Sequence, residues 1–186
     1  VTIANKIPYA ILREILASFK AVYDRDQTEA AAQIYRKSTG EYFVYYPVQE
    51  NTAAHTSYEG DLNAAVDLRT QHTLVMEVHS HAGMGAFFSG EDNANEKYPL
   101  EYCVFGNFNT ESVSFAGRVK MLSLEQPFLP ADLFEIPEEV TDPLSLSNLP
   151  AANVHILKNA KPKVYTYVAA DWDEKEWAKK YGYGRG

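Results

Sequence analysis

Residues 72–92, HTLVMEVHSHAGMGAFFSGED, constrain this chain more than any other stretch. The first half is an apolar run with β-branched residues, which predicts a strand over 72–81 buried on at least one face. Successive side chains of a strand point to opposite faces, so His79 and His81 share one side and Ser80 faces the other. The run breaks from Ala82 to Phe88, where Gly83 and Gly85 ease a turn. Ser89 followed three residues later by Asp92 then predicts a helix opening at Gly90. A strand, a Gly-containing loop and a short helix thus return two imidazoles and a carboxylate to one strand end.

The flanking sequence supplies the rest of an α/β fold. Ile11, Leu12, Ile15, Leu16, Phe19 and Val22 recur at helical spacing and predict a helix over 8–23. Gln33 to Arg36, the Ser38-Thr39-Gly40 turn and the aromatic run Tyr42 to Tyr46 predict a β-hairpin closed by Pro47. A short helix follows over 61–71, and LEYCVFGNF and SVSFAGRVKML add two more strands, giving a sheet of five or more. Five of the nine prolines fall within 125–150, which suits a wrapping loop or linker better than a packed element. KPKVYTYVAADW reads as a late strand and DEKEWAKKYGYGRG as a short charged helix. The expected organisation is a main domain over 1–124, the Pro-rich segment over 125–150, and a C-terminal strand and helix over 151–186 packing on that domain. Trp172 and Trp177 are expected to fold onto it.

Composition excludes several functions. Seventeen Lys and Arg against twenty-five Asp and Glu give a formal charge of -8, and no basic cluster offers a nucleic-acid footprint. One cysteine, Cys103, leaves no internal disulfide and fits a reducing, cytoplasmic setting. No signal-peptide pattern opens the chain, and no apolar run reaches the roughly 18 residues of a membrane span. The chain starts at Val1 rather than Met, which is compatible with an upstream segment carrying its own signal.

His79 and His81 in one strand admit two readings. Buried histidines often only satisfy a hydrogen bond, and Ser89 with Asp92 is also the pattern of a helix N-cap with a first-turn acid. Read as a metal site, the pair needs a third ligand, for which Asp92 is the candidate. Cys103 reads as a small core residue. One of Phe87 and Phe88 is expected in the core, the other left open with Met84. His55, His72 and His155 have no partner spacing and read as structural or exposed.

His-Ser-His, seven residues, Ser, two residues and Asp resembles the signature of the JAMM (MPN-plus) zinc metallopeptidases, and HSHAGMGAFFSGED matches every fixed position. The form looks closest to prokaryotic or mobile-element members. The resemblance implies a three-layer α-β-α fold with a curved, mostly antiparallel mixed sheet, similar to cytidine deaminases. It implies one zinc ion per chain on His79, His81 and Asp92, and hydrolysis of an amide bond by metal-activated water. Glu29 at the first helix–strand junction is the implied general base and acid, and the Ser89 hydroxyl the donor to the oxyanion. The family's usual small-Gly-Leu-Leu-x-Gly continuation is absent after Glu29, where Gln33, Tyr35 and Lys37 stand, and Glu41, Glu50 and Glu77 remain competitors. Implied substrates are a peptide or small conjugate, or the tail of a ubiquitin-like protein, with neither nucleic acid nor membrane as partner; the oligomeric state is not readable. The rival is a metal-free MPN-like scaffold that binds partners. A nuclease or phosphatase would want more carboxylates and a positive groove.

Overall fold

The computed structural model describes residues 6–57, 62–122 and 124–164, with the side chains of 62–65 left aside. In chain order the elements are β1 (Ile7–Pro8), α1 (Tyr9–Asp26), β2 (Ala31–Arg36), β3 (Tyr42–Tyr45), β4 (Gln49–Asn51) and β5 (Thr56–Ser57). Next come α2 (Leu62–Gln71), β6 (Thr73–Ser80), α3 (Gly90–Asn95), β7 (Glu101–Gly106) and β8 (Ser114–Met121). The described chain closes with β9 (Leu124–Pro127), α4 (Pro130–Leu133), β10 (Phe134–Glu135), α5 (Val154–Asn159) and β11 (Ala160–Pro162). Glu59, a further upstream acid expected beside Glu50 in a polar loop, lies outside the described residues, as do the expected C-terminal helix, Trp172, Trp177 and most of the late strand.

A six-stranded open sheet in the order β3-β2-β6-β7-β8-β9 forms the centre. Its neighbours are antiparallel except β6 and β7. A parallel pair needs a long crossover, and residues 81–100, with α3, supply it. The expected mixed, mostly antiparallel α/β fold is what the chain forms.

The apolar stripe read in α1 packs on one face of this sheet. Leu12, Ile15, Leu16, Phe19 and Val22 are buried there with Ala32 and Ile34 of β2, Met76 and Val78 of β6, and Cys103 and Phe105 of β7. Burial of each large apolar side chain contributes roughly 1.5–3 kcal/mol. Alternation then sends Glu77 and His79 to the other face, where Arg69 of α2 approaches Glu77 at 3.6 Å. Helices therefore flank both faces. α1 runs three residues past the expected end and stops where Gln27 turns left-handed (φ 55°) and donates its N–H to Tyr23 O.

Residues 125–150 are part element and part loop, with no helix or strand from Ile136 to Pro150. They begin in β9, the sheet's outer strand, then bury Phe128, Leu133 and Phe134 in the core, while β10 pairs in parallel with β1. Further on, β11 pairs with β4 in a small sheet ordered β11-β4-β5.

At the end of β7 the chain accepts another backbone at close range. His81 N donates to Phe105 O (2.8 Å), Phe108 N to Ala82 O (3.0 Å) and Asn107 N to Met84 O (2.6 Å). Gly106 sits under this loop, and a methyl group there would collide with Met84 O, Gly85 C and Ala86 N. Those are main-chain atoms, so relief requires moving the whole loop. Gly106→Ala is expected to lower stability by about 1–3 kcal/mol, measured by chemical denaturation; an unchanged midpoint would refute the close approach.

Candidate metal centre

His79 occupies the penultimate position of β6, between Ala31 of β2 and Val104 of β7, so its backbone is held from both sides. His81 is the first residue beyond the strand and is 4% exposed. Their Nε2 atoms stand 3.3 Å apart. Asp92 arrives from the first turn of α3 and places Oδ1 3.3 Å from His79 Nε2, with Oδ2 3.9 Å from His81 Nε2. One ligand atom from each of the three residues lies within 4.8 Å of the others.

These residues fit a tetrahedral metal ion. Two nitrogens bound to zinc at about 2.0–2.1 Å in tetrahedral geometry lie about 3.3 Å apart, the separation seen here. His81 Nδ1 faces the Gly85 carbonyl at 3.3 Å. That pairing needs the proton on Nδ1 and leaves the Nε2 lone pair for a metal, the usual device for orienting a ligand imidazole. Burial, foremost, lowers the His79 pKa to about 4 despite the opposing pull of Asp92, so its ring is neutral and available at pH 7.

Ser89 fulfils the plainer sequence reading. Its hydroxyl accepts the Asp92 N–H (3.2 Å) and its own N–H donates to Asp92 Oδ2 (2.6 Å), a complete capping box. The box also has a chemical effect, because it fixes the Asp92 carboxylate with Oδ1 directed toward His79. The Ser89 hydroxyl proton is not used by this box.

Glu29 lies between α1 and β2, as expected, and is 4% exposed. Its N–H donates to Thr52 O at 2.8 Å, and β2 runs antiparallel to β6 with Ala31 opposite His79. It lines, with His79, His81, Ser89 and Asp92, a cleft of about 590 Å³. Burial first, then the charges of Asp92 and Glu91, raise its pKa to about 8. The other acids considered stand apart or are engaged elsewhere. Glu41 is exposed and pairs with Lys37 at 2.9 Å, and Glu50 is exposed on β4. Glu77 reaches the cleft wall but accepts from Gln33 Nε2 at 3.2 Å.

Neither phenylalanine joins the core cluster: Phe88 is partly buried, under the Arg118 guanidinium at 3.9 Å. Phe87 is half-exposed at the cleft and meets the His81 ring edge-on at 4.6 Å, with Met84 exposed nearby on the lining. Cys103 is fully buried. Sequence reasoning missed His55, read as structural or exposed, which lines the cleft and pairs with Glu91 at 3.0 Å. It also missed Glu96 on the same wall. A polar loop around His55 gives no periodic signal by which to find it.

The shifted Glu29 predicts a pH effect in the metal-free protein. Its folded pKa of about 8 exceeds the ordinary 4.5, so between these values the folded state retains a proton that the unfolded state releases. Stability therefore falls as pH rises through this window. Glu29→Gln should raise the unfolding free energy of metal-free protein at pH 8, from denaturant titrations, by on the order of a few kcal/mol, with the gain vanishing near pH 4.5. An equal gain at both pH values would refute the shift.

Residues 10–118 match the family of prokaryotic homologs of the JAB domain. A protein of Desulfitobacterium hafniense, solved in solution, is similar in fold, with 19% identity and a TM-score of 0.50 over 70% of this chain and 91% of that one. A solution structure from Salinibacter ruber shows 14% identity and a TM-score of 0.43, over 77% of this chain and 93% of that one. No curated protein matches the chain. No helix among the described residues is long and apolar enough to cross a membrane. The family match covers more than half the chain and contains all the residues of the His-His-Asp cluster, so the chain belongs to the prokaryotic JAB-domain homologs, of the JAMM/MPN type.

Proposed function

We propose that this protein is a zinc-dependent amide hydrolase, a peptidase or isopeptidase, acting on a peptide or on the tail of a ubiquitin-like protein. The observation that supports it is the His79, His81 and Asp92 cluster sharing one cleft with the buried Glu29 carboxyl. When bound, zinc polarises a carbonyl and makes water a nucleophile near neutral pH. His79, His81 and Asp92 would hold the ion.

Glu29 removes a proton from the attacking water as its oxygen bonds to the carbonyl carbon. The same carboxyl then returns the proton to the nitrogen as the C–N bond breaks, so one residue serves as base and then acid. A raised pKa suits the second role, and a divalent cation held by His79, His81 and Asp92 would suit the first by drawing Glu29 back toward ionisation. Ser89 is a donor, with its hydroxyl proton offered to the developing oxyanion. It is not the nucleophile in this reading: His79 and His81 are committed as ligands, and the His55 imidazole faces Glu91 rather than Ser89. Phe87 and Met84 supply an apolar lip against which a peptide chain rests.

Glu29→Gln tests this reading because it removes the base and leaves the ligands. Zinc-loaded parent is expected to cleave members of a panel of ubiquitin-like fusions and peptide amides, and Glu29→Gln to retain zinc while losing about 10²–10⁴-fold in rate. Equal rates would exclude Glu29 as the base. A zinc-loaded parent that cleaves nothing in the panel, yet captures partners, would favour the scaffold.

A further inference from the structure

Helix α3 supplies Asp92, yet among its residues Gly90–Asn95 no side chain is buried. Helices this short are held by tertiary packing rather than by propensity, and the Ser89–Asp92 box is internal to the turn and does not attach it to the sheet. Besides the pairing of Glu91 with His55 at 3.0 Å, the main attachments flank the helix. On the N-terminal side, the ring of Phe88 lies under the guanidinium of Arg118 at 3.9 Å. On the C-terminal side, Glu96 Oε2 accepts from Arg118 Nε at 2.8 Å and also from Nη2. A third and weaker tie runs from Lys120 Nζ to Asn93 O at 3.3 Å.

Arg118 is well placed to act as a bracket. It lies in β8 with Tyr102 of β7 opposite on one side and Pro127 of β9 on the other. Its Nη1 donates to Glu125 Oε2 at 3.0 Å, and the side chain is nearly buried, as is Glu96. A planar fork that binds a carboxylate while stacking on a ring is a geometry a lysine ammonium cannot reproduce.

We propose that Arg118 is a positioning residue for the metal centre: by gripping Phe88 and Glu96 on either side of α3, it sets where Asp92 stands and so how tightly zinc is held. This rests on the reading of His79, His81 and Asp92 as a zinc site. Groups that touch a metal ligand directly typically contribute about 10–100-fold in metal affinity, and Arg118, which acts through the residues flanking α3, is expected to fall within that range.

The test measures zinc affinity by competition with a chromophoric chelator, and the cobalt(II) absorption spectrum, on the full chain. Arg118→Met is expected to weaken zinc by about 10–100-fold and to shift the cobalt bands. Arg118→Lys, which keeps the charge and not the fork, should fall between it and the parent. A role in folding alone would lower the unfolding midpoint while leaving zinc affinity and cobalt bands at parental values, and that result overturns the proposal. Should Arg118→Met fail to fold, Arg118→Lys and Glu96→Gln decide by the same two readouts. A parent that binds no zinc would sink the metal-site reading itself. A parent that binds zinc, with affinity lost in Arg118→Lys but no hydrolysis, would uphold the bracket and count only against the hydrolase.

Discussion

The close passage of residues 84–86 over Gly106 is the constraint on which the rest of the site depends. Two residues of the His-His-Asp cluster stand at the end of β6, and the third comes from a helix that the chain reaches only after a loop. That loop is tied to the end of β7 by main-chain hydrogen bonds from His81, Asn107 and Phe108. The approach is close enough that a methyl at residue 106 would strike backbone atoms. The turn carries strain as well, since Ala82 (φ 47°) and Asn107 (φ 61°) both adopt left-handed conformations, each costing of order 1–3 kcal/mol. The same passage presents the Gly85 carbonyl to His81 Nδ1. One backbone contact therefore sets both the loop path toward Asp92 and the tautomer of a ligand imidazole.

Electrostatics completes the picture of an acid-rich centre. Among the described residues the cleft lining carries Glu29, Glu77, Glu91, Asp92 and Glu96 and neither Lys nor Arg, with Arg69 and Arg118 reaching Glu77 and Glu96 from outside the lining. In the metal-free chain burial holds His79 neutral, while burial and two nearby carboxylates push Glu29 toward protonation. A divalent cation reverses the second effect and exploits the first. Metal binding should then release protons and stabilise the fold, as it does wherever ligands must be deprotonated to coordinate.

Much of this was legible in the sequence where a local period or a fixed spacing carried the signal. The 3.6-residue stripe of α1, the aromatic hairpin of β2 and β3, and the parity of His79 with His81 are local patterns that tertiary packing reinforces. The segment 125–150 was read as a loop or linker because prolines hide short elements. β9 tolerates Pro127 as an edge strand, and the two-residue pairing of β10 with β1 has no period to detect. His55 was not placed at the cleft because what brings it there is a long-range meeting with Glu91. Arg118 gave no signal either: in SFAGRVKML it alternates as a solvent-facing strand residue would, and only the crossover brings Phe88 and Glu96 against it. Local sequence marks the His-His-Asp cluster, while the contacts around it come from non-local pairing.

The most direct measurement is elemental analysis of the protein purified without chelator or added metal, beside His79→Ala and Asp92→Ala. About one zinc per chain in the parent, lost in both variants while their circular dichroism matches the parent's, is the predicted result. A parent that remains metal-free even after zinc is supplied and the excess removed would contradict the account, and would leave a JAB fold carrying the motif without its ion.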